Sequence, residues 1–365
     1  MIHLNDFVAQ WNHIKDSALA AVDRVGASGW LILGEEVDRF ENDLSLFWGI
    51  PATVGVANGL DAIEISLRTL GINPGDKVLT TSLSAFATTL AIVKAGGVPV
   101  FVDTDDRGLI DLSLAEEMLR KDPAIQYMVP VHLFGHPLDL EKLERLRNTY
   151  SLKIVEDCAQ SIGAIFRHRA VGTVGQLAAT SFYPTKNLGC LGDGGAILGT
   201  DSDLITRARA LRDYGQSKKY VHDFIGLNSR LDELQAAILR SVLLPNLRSQ
   251  NARRLEIAER YKSLIENPKL KILDCHTDAK SVWHIFPLMV ANSRDDFQLY
   301  LKQKGISTAV HYPIIIPDQR ALESFDIKGE FPNARLIANH EVSIPIHPFL
   351  TNYEVDQVIM ACNAW

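Results

Sequence analysis

An α/β fold is what this 365-residue chain predicts: a largely parallel sheet flanked by helices, followed by a smaller C-terminal α/β domain. Three observations lead there. Over the first 200 residues, short apolar runs alternate with longer amphipathic segments, the pattern of repeated strand–helix units. A long helical stretch from about Leu231 to Ile265 then breaks the alternation. The chain is also too long for one small core, which favours two domains.

The predicted strands are Thr53–Ala57, Lys77–Thr81, Pro99–Val102, Tyr127–His132, Leu152–Glu156, Ala178–Phe182 and Ala196–Gly199. Helices Leu60–Leu70, Ala85–Ala95, Leu114–Arg120, Leu140–Tyr150 and Ser202–Tyr214 lie between and after them. Gly26 to Gly34 reads as an irregular segment with a tryptophan, fit to line a pocket or to pack. Pro245 should break or kink the Leu231–Ile265 stretch, since proline has no N–H and its ring crowds the preceding turn. Beyond it come Leu270–Leu273, Val282–Val290, a helix near Arg294–Lys304, and Ser307–His311. A boundary near residue 248 gives a large domain, 1–248, and a small one, 249–365.

A net charge of −7 gives no general affinity for nucleic acid, although a local positive pocket can still hold a phosphorylated ligand. Cys158, Cys190, Cys275 and Cys362 include no C-x-x-C pair, so neither a zinc ribbon nor a thioredoxin-like site is supported. Dispersed cysteines fit a reducing cytosol. Met1 to Asp16 lacks a basic region followed by an apolar run, and no stretch approaches the roughly 18 apolar residues of a membrane helix. A cytoplasmic protein without membrane contact is expected.

In parallel sheets, ligands gather at the carboxyl ends of the strands. Asn58, Asp103, His132 and Asp157 fall at such ends. Lys186 lies in Ser181-Phe182-Tyr183-Pro184-Thr185-Lys186-Asn187-Leu188-Gly189, between an apolar run and Gly192-Asp193-Gly194-Gly195. A lysine amine and a strand-end aspartate are the two protein groups that pyridoxal phosphate chemistry most needs. The amine joins the cofactor aldehyde, and the carboxylate keeps a proton on the pyridine nitrogen. On its own, either residue is ordinary: a loop lysine is usually a solvated charge.

Other residues are also weak singly. Asn58-Gly59 at a strand–helix junction offers backbone N–H groups and a helix dipole to an anion, but equally makes a tight turn. The Ser181 hydroxyl suits the same phosphate, or a backbone partner. The apolar run before Asp157 argues for partial burial, and a buried carboxylate needs a partner such as a pyridinium N–H. His132 and His136 flank Gly135 before Pro137, so no helix aligns them for a metal. His132 remains a candidate pocket residue, and no metal site is expected. The glycines of 192–195 lack the GK[ST] ending of a nucleotide P-loop.

Taken in order, the pieces resemble the DegT/DnrJ/StrS-type sugar aminotransferases, a branch of the fold-type-I pyridoxal phosphate enzymes. The resemblance begins at Gly29-Trp30-Leu31-Ile32-Leu33-Gly34-Glu35-Glu36-Val37 and Val56-Ala57-Asn58-Gly59-Leu60-Asp61-Ala62. It continues through Glu156-Asp157-Cys158-Ala159-Gln160, the Lys186 segment and Asn228-Ser229-Arg230-Leu231-Asp232-Glu233, and closes near His311-Tyr312-Pro313 and Ile344-Pro345-Ile346-His347-Pro348.

The resemblance implies that Lys186 is the Schiff-base lysine, Asp157 the partner of the pyridine nitrogen and Gln160 a neighbour of the ring. It places Gly59, Leu60 and Ser181 at the phosphate. It implies that Asn228 reaches the phosphate of a second subunit, hence a homodimer with shared active sites. Tyr183, His311 and Tyr312 fall where the family lines its substrate pocket. Two positions depart from the pattern. Leu60 stands where a threonine is common, leaving only backbone for the phosphate there. Ala85 stands where an aromatic ring usually covers the cofactor, with Phe86 beside it as the candidate replacement.

The implied reaction moves an amino group from L-glutamate to a nucleotide-linked ketosugar, the cofactor cycling between pyridoxal 5'-phosphate and pyridoxamine 5'-phosphate. Asn-Gly-Leu-Asp-Ala and Gly-Trp-x-Ile-Leu-Gly resemble members acting on dTDP-3-keto-6-deoxyhexoses. A C4 ketosugar or cyclitol aminotransferase and a non-catalytic regulatory or binding relative are the alternatives. Dehydratase relatives replace the lysine, and Lys186 is present.

Overall fold

The computed structural model describes residues 1–365. Two helices not anticipated from the sequence open the chain, α1 (Phe7–Ser28) and α2 (Glu35–Trp48). α1 buries Ile14, Ala18, Ala21 and Val25, a narrow stripe at helical spacing on an otherwise exposed element. It ends on Gly29 in the left-handed conformation. The irregular segment is therefore shorter than expected, since residues 26–28 are helical and only the stretch from Gly29 to Gly34 links α1 to α2.

The central sheet has seven strands: β1 (Ala52–Val56), β2 (Lys77–Thr81), β3 (Val98–Val102), β4 (Ile125–Val129), β5 (Lys153–Asp157), β6 (Leu177–Ser181) and β7 (Gly195–Gly199). All seven runs anticipated from the sequence are strands. β4 starts and stops earlier than expected, before Pro130, which has no N–H to give a sheet ladder. The order across the sheet is β1-β7-β6-β5-β4-β2-β3. Pairs among β2 to β6 are parallel, whereas β7 runs antiparallel to both β6 and β1. No helix lies between β6 and β7, so the chain has no crossover and must return antiparallel. β1 thus runs with β6 and β5, and the carboxyl ends of all three share one edge.

Helices α3 (Gly59–Thr69), α4 (Phe86–Lys94), α5 (Leu112–Lys121), α6 (Leu140–Thr149) and α7 (Ser202–Arg212) follow or connect these strands. Asn58, Asp111, Asp139 and Asp201 cap four of them through their side chains. Such caps satisfy amides that have no partner inside the helix, which is why those helices begin where they do. The stretch after Leu231 is kinked, not broken. A widened turn at Leu239–Leu243 separates α8 (Glu233–Ile238) from α9 (Leu244–Leu264), and Pro245 sits in the first turn of α9.

The C-terminal part forms a three-stranded antiparallel sheet of β8 (Leu270–Ile272), β9 (Phe286–Val290) and β10 (Glu341–Ile344), in the order β8-β9-β10. α10 (Arg294–Gln303), α11 (Pro332–His340) and α12 (Asn352–Asn363) accompany it. The Val282–Val290 run pairs only from Phe286, and Ser307–His311 contributes a single bridge, Ala309 with Ser343. One apolar cluster gathers residues from Ile257 to Cys362. Ala334, Ile337 and Ala338 of α11 pack instead with Phe101 of β3 and with Leu109 and Phe134 in the loops after β3 and β4. Residue 248 falls inside α9. No helix is long and apolar enough to cross a membrane.

Candidate active site

The shared edge of β1, β5 and β6 opens into a cavity of about 670 Å³. Asn58, Gly59 and Leu60 line it from the β1–α3 turn, Asp157, Ala159 and Gln160 from the end of β5. Ser181, Tyr183, Thr185 and Lys186 enter from the loop after β6, and His284, His311 and Tyr312 close it from the C-terminal part. Of the eleven residues anticipated for the site, nine line this one cavity, namely Gly59, Leu60, Asp157, Gln160, Ser181, Tyr183, Lys186, His311 and Tyr312, whereas Phe86 and Asn228 do not.

Burial lowers the Lys186 amine from its ordinary value to about 8, and the Asp157 charge opposes that shift without cancelling it. A neutral amine is therefore available near physiological pH. Uptake of pyridoxal phosphate by the apoprotein should accelerate as pH rises and level off above about 8. A stopped-flow rate that keeps climbing with the slope of a free lysine would contradict this.

Asp157 is almost wholly buried. Its Oδ2 accepts a hydrogen bond from the Thr88 hydroxyl at 2.8 Å, and its Oδ1 accepts one from the Ala159 N–H at 3.0 Å. Each oxygen keeps a further lone pair, so the carboxylate can still receive a cationic N–H from the cavity. Gln160 is fixed at both ends: Oε1 accepts from the Phe134 N–H at 2.7 Å, and Nε2 donates to the Tyr312 hydroxyl at 3.3 Å. Burial, then the Asp157 charge, raises the Tyr312 phenol, which stays neutral.

An anion cradle lies at the start of α3. Asn58 Oδ1 accepts from the Asp61 N–H at 2.8 Å, leaving other first-turn amides and the positive helix end free. Gly59 lies so close to Ser181 that a Cβ on it would stand 2.6 Å from the Ser181 Cβ. A Cβ on Gly195 would stand 2.4 Å from the Asn58 carbonyl carbon. The turn is therefore compressed between two strands, and only glycine permits it. Gly59→Ala should weaken cofactor affinity about tenfold or more by pushing Ser181 from the cradle. Equilibrium titration of the apoprotein measures it, and unchanged affinity would remove the phosphate role from this turn.

These features fit pyridoxal phosphate: a buried amine, a buried carboxylate with spare lone pairs, and an amide-rich helix start converge on one space. The fit is not complete. Phe86, the candidate ring cover, opens α4 and packs against the apolar cluster behind it, while Ala85 and Ala87 line the cavity. Phe86 therefore does not line the cavity where the ring cover was expected. Asn228 is exposed and does not line its own subunit's cavity.

His132 is not a pocket residue. It is buried, its Nδ1 accepts from the Leu138 N–H at 3.1 Å, and its Nε2 lies 3.0 Å from Glu156 Oε2. Glu156 also accepts from the Gly172, Val174 and Gly175 amides, and its carboxyl is held below the usual range despite its burial. His132, Glu156 and Cys158 come close enough together to suggest a metal set, but the first two are committed to these bonds. Asp103 likewise serves the fold, accepting from the Asn333 and Ala334 amides at the start of α11.

Thr88 and His284 were not anticipated. Thr88 sits in the first turn of α4 and meets Asp157 only through the fold. His284 stands alone in an apolar run, and only the fold brings it to the cavity, where its Nδ1 lies 3.1 Å from Asn187 Oδ1.

Comparison with known proteins agrees with this geometry. Residues 12–363 match the model of the DegT/DnrJ/EryC1/StrS aminotransferase family. The chain is 42% identical over 347 residues to the dTDP-3-amino-3,6-dideoxy-alpha-D-galactopyranose transaminase of Aneurinibacillus thermoaerophilus, covering 94% of each chain. It is 40% identical over 362 residues to the erythromycin biosynthesis sensory transduction protein EryC1 of Saccharopolyspora erythraea, covering 98% of each. Among solved structures, that of Streptomyces venezuelae DesV in complex with a ketimine intermediate superposes with a TM-score of 0.94 at 39% identity, covering 99% of this chain and 97% of that one. The chain belongs to the DegT/DnrJ/EryC1/StrS aminotransferase family and is a pyridoxal phosphate-dependent sugar aminotransferase.

Proposed function

We propose that the protein transfers an amino group from L-glutamate to a nucleotide-linked ketosugar, a dTDP-3-keto-6-deoxyhexose, giving the 3-amino sugar. The observation that carries this reading is the convergence of Lys186 and Asp157 on one cavity in a chain 42% identical to a dTDP-3-amino sugar transaminase. When bound, pyridoxal phosphate supplies an electron sink for the carbon–nitrogen chemistry. The residues supply the rest. Lys186 holds or moves a proton at its Nζ, which its lowered basicity suits near neutral pH. Asp157, oriented by Thr88 and Ala159, offers negative charge to the ring nitrogen. Ser181 and the amides after Asn58 hold the phosphate. Tyr183, His311 and Tyr312 face the substrate side and orient the sugar.

Several surface features support a homodimer with shared sites. Asn228 is exposed and lines no part of its own subunit's cavity, which leaves it free to serve another copy. Trp30, Leu31 and Ile32, and Tyr220, Val221 and Ile225, are large apolar side chains left in solvent by the single chain. The division into a large unit, 1–248, and a small one, 249–365, is part of the same proposal, as is a cytoplasmic location.

The test is the visible spectrum of the protein with pyridoxal phosphate, before and after L-glutamate, followed by mass spectrometry with a dTDP-3-keto-6-deoxyhexose. Bleaching of the yellow band and a gained amine are expected. A yellow protein indifferent to glutamate would point to another donor. A colourless one would favour the regulatory reading that the EryC1 relative's name suggests for that protein.

A further inference from the structure

His311 reaches the cavity from a segment whose residues show no sign of a link to β10. The structure joins the two through a buried chain. Glu341 and Ser343, both on β10, are fully buried. Glu341 Oε2 accepts from the His311 backbone N–H at 2.6 Å. The Ser343 hydroxyl bonds Glu341 Oε1 and also lies 2.8 Å from His311 Nδ1. The order is carboxyl, hydroxyl, imidazole, with His311 Nε2 as its open end.

A serine hydroxyl carries one proton. If it donates to the Glu341 carboxylate, it must accept from His311, so the ring holds its proton on Nδ1. His311 Nε2 is then a bare acceptor. If Glu341 carries a proton, it donates to Ser343, Ser343 donates to Nδ1, and the ring proton sits on Nε2. We propose that Glu341 is a positioning residue that, through Ser343, sets whether His311 offers the bound sugar a donor or an acceptor at Nε2. The inference rests on the reading that a sugar oxygen occupies this side of the cavity.

The proton count closes. Starting from protonated Glu341, a proton leaves Nε2 to an acceptor in the cavity. The Ser343 proton moves to Nδ1, and the Glu341 proton moves to Ser343 Oγ. One proton has left, and the negative charge rests on Glu341 while the imidazole remains neutral. Burial favours this economy: it lowers the His311 ring to about 4, with the Lys186 charge adding to the effect, so a doubly protonated ring is disfavoured. Burial also raises the Glu341 carboxyl to about 8, against the opposing pull of its Ser343 and His311 bonds and of Arg294. Lys186, His284, Tyr312 and Arg294 are the charged or titratable groups facing this chain. Below about pH 8 the donor form should prevail, and above it the acceptor form.

Nitrogen NMR of ¹⁵N-histidine-labelled holoprotein reads the two ring nitrogens directly, with H311Q identifying the His311 signals. In the wild type the proton should pass from Nε2 to Nδ1 across a range centred on about pH 8. In E341Q the amide donates to Ser343 at every pH, so the Nε2–H form should persist throughout. S343A breaks the chain, and its KM for the ketosugar should rise about fivefold to tenfold with a smaller change in kcat. The KM–pH profile should lose in E341Q the component that the wild type shows. A wild-type His311 that keeps one tautomer throughout, or an E341Q that titrates like the wild type, would overturn the inference. The NMR result does not depend on turnover. Failure of L-glutamate to bleach the wild type would count against amino transfer alone.

Discussion

Lys186→Ala is expected to lower turnover by at least about a thousandfold, because the variant loses the only amine in the cavity placed to move a proton at the reacting carbon. Lys94 also lines the cavity, but it is paired with Glu64 at 2.9 Å and with Asp61 at 3.7 Å. The fold should survive. The substitution removes a desolvated amine that makes no salt bridge, so no buried ion pair is broken. Steady-state kinetics and thermal unfolding of apoprotein measure the two halves of this statement. Turnover within about tenfold of wild type would transfer the acid–base role to another residue.

The second large effect belongs to Asp157→Asn. The amide keeps the volume and can still meet the Thr88 hydroxyl and the Ala159 N–H. What it loses is the negative charge proposed for the ring nitrogen. A loss of about a hundredfold to a thousandfold in kcat is expected, the size of effect seen when a preorganised electrostatic partner is removed. Stability should change little or rise, since a neutral amide costs less to bury than a carboxylate. Thr88→Val should reproduce a milder version, because it frees one oxygen of Asp157 without removing its charge. Equal kcat in wild type and Asp157→Asn would exclude a charge-dependent role.

Much of the sheet was legible because each strand carries a short apolar core, such as Val78-Leu79 in β2 and Ile154-Val155 in β5, and such cores need no partner to be recognised. Pro130 fixes the end of β4 in the same local way. The direction of β7 was not legible from its own residues; it follows from the missing crossover between Ser181 and Gly195. α1 and α2 were missed because their buried stripes are narrow and their exposed faces carry apolar residues such as Val8, Leu19 and Leu46.

At the site, Lys186 and Asp157 stood out because each follows a strand. His132 follows one too, yet turns inward to Glu156, and strand-end position alone cannot decide between the two outcomes. Phe86 stands between Ala85 and Ala87, which line the cavity, yet packs with the apolar cluster, a difference of one position that the sequence does not show. Glu341 and Ser343 carried no signal at all, since their role exists only where β10 meets the segment before His311.

The reversal of β7 has a consequence for how the protein matures. β1 and β7 are neighbours in the sheet but far apart along the chain, and Gly195 presses directly on the Asn58–Gly59 turn. That turn has no rigid floor until β7 is in place. During synthesis, the phosphate cradle can take shape only after the Lys186 loop and β7 have emerged and docked beside β1. Cofactor capture then becomes a late event that reports a completed sheet, and nascent chains ending before Gly199 should remain without cofactor whatever its concentration.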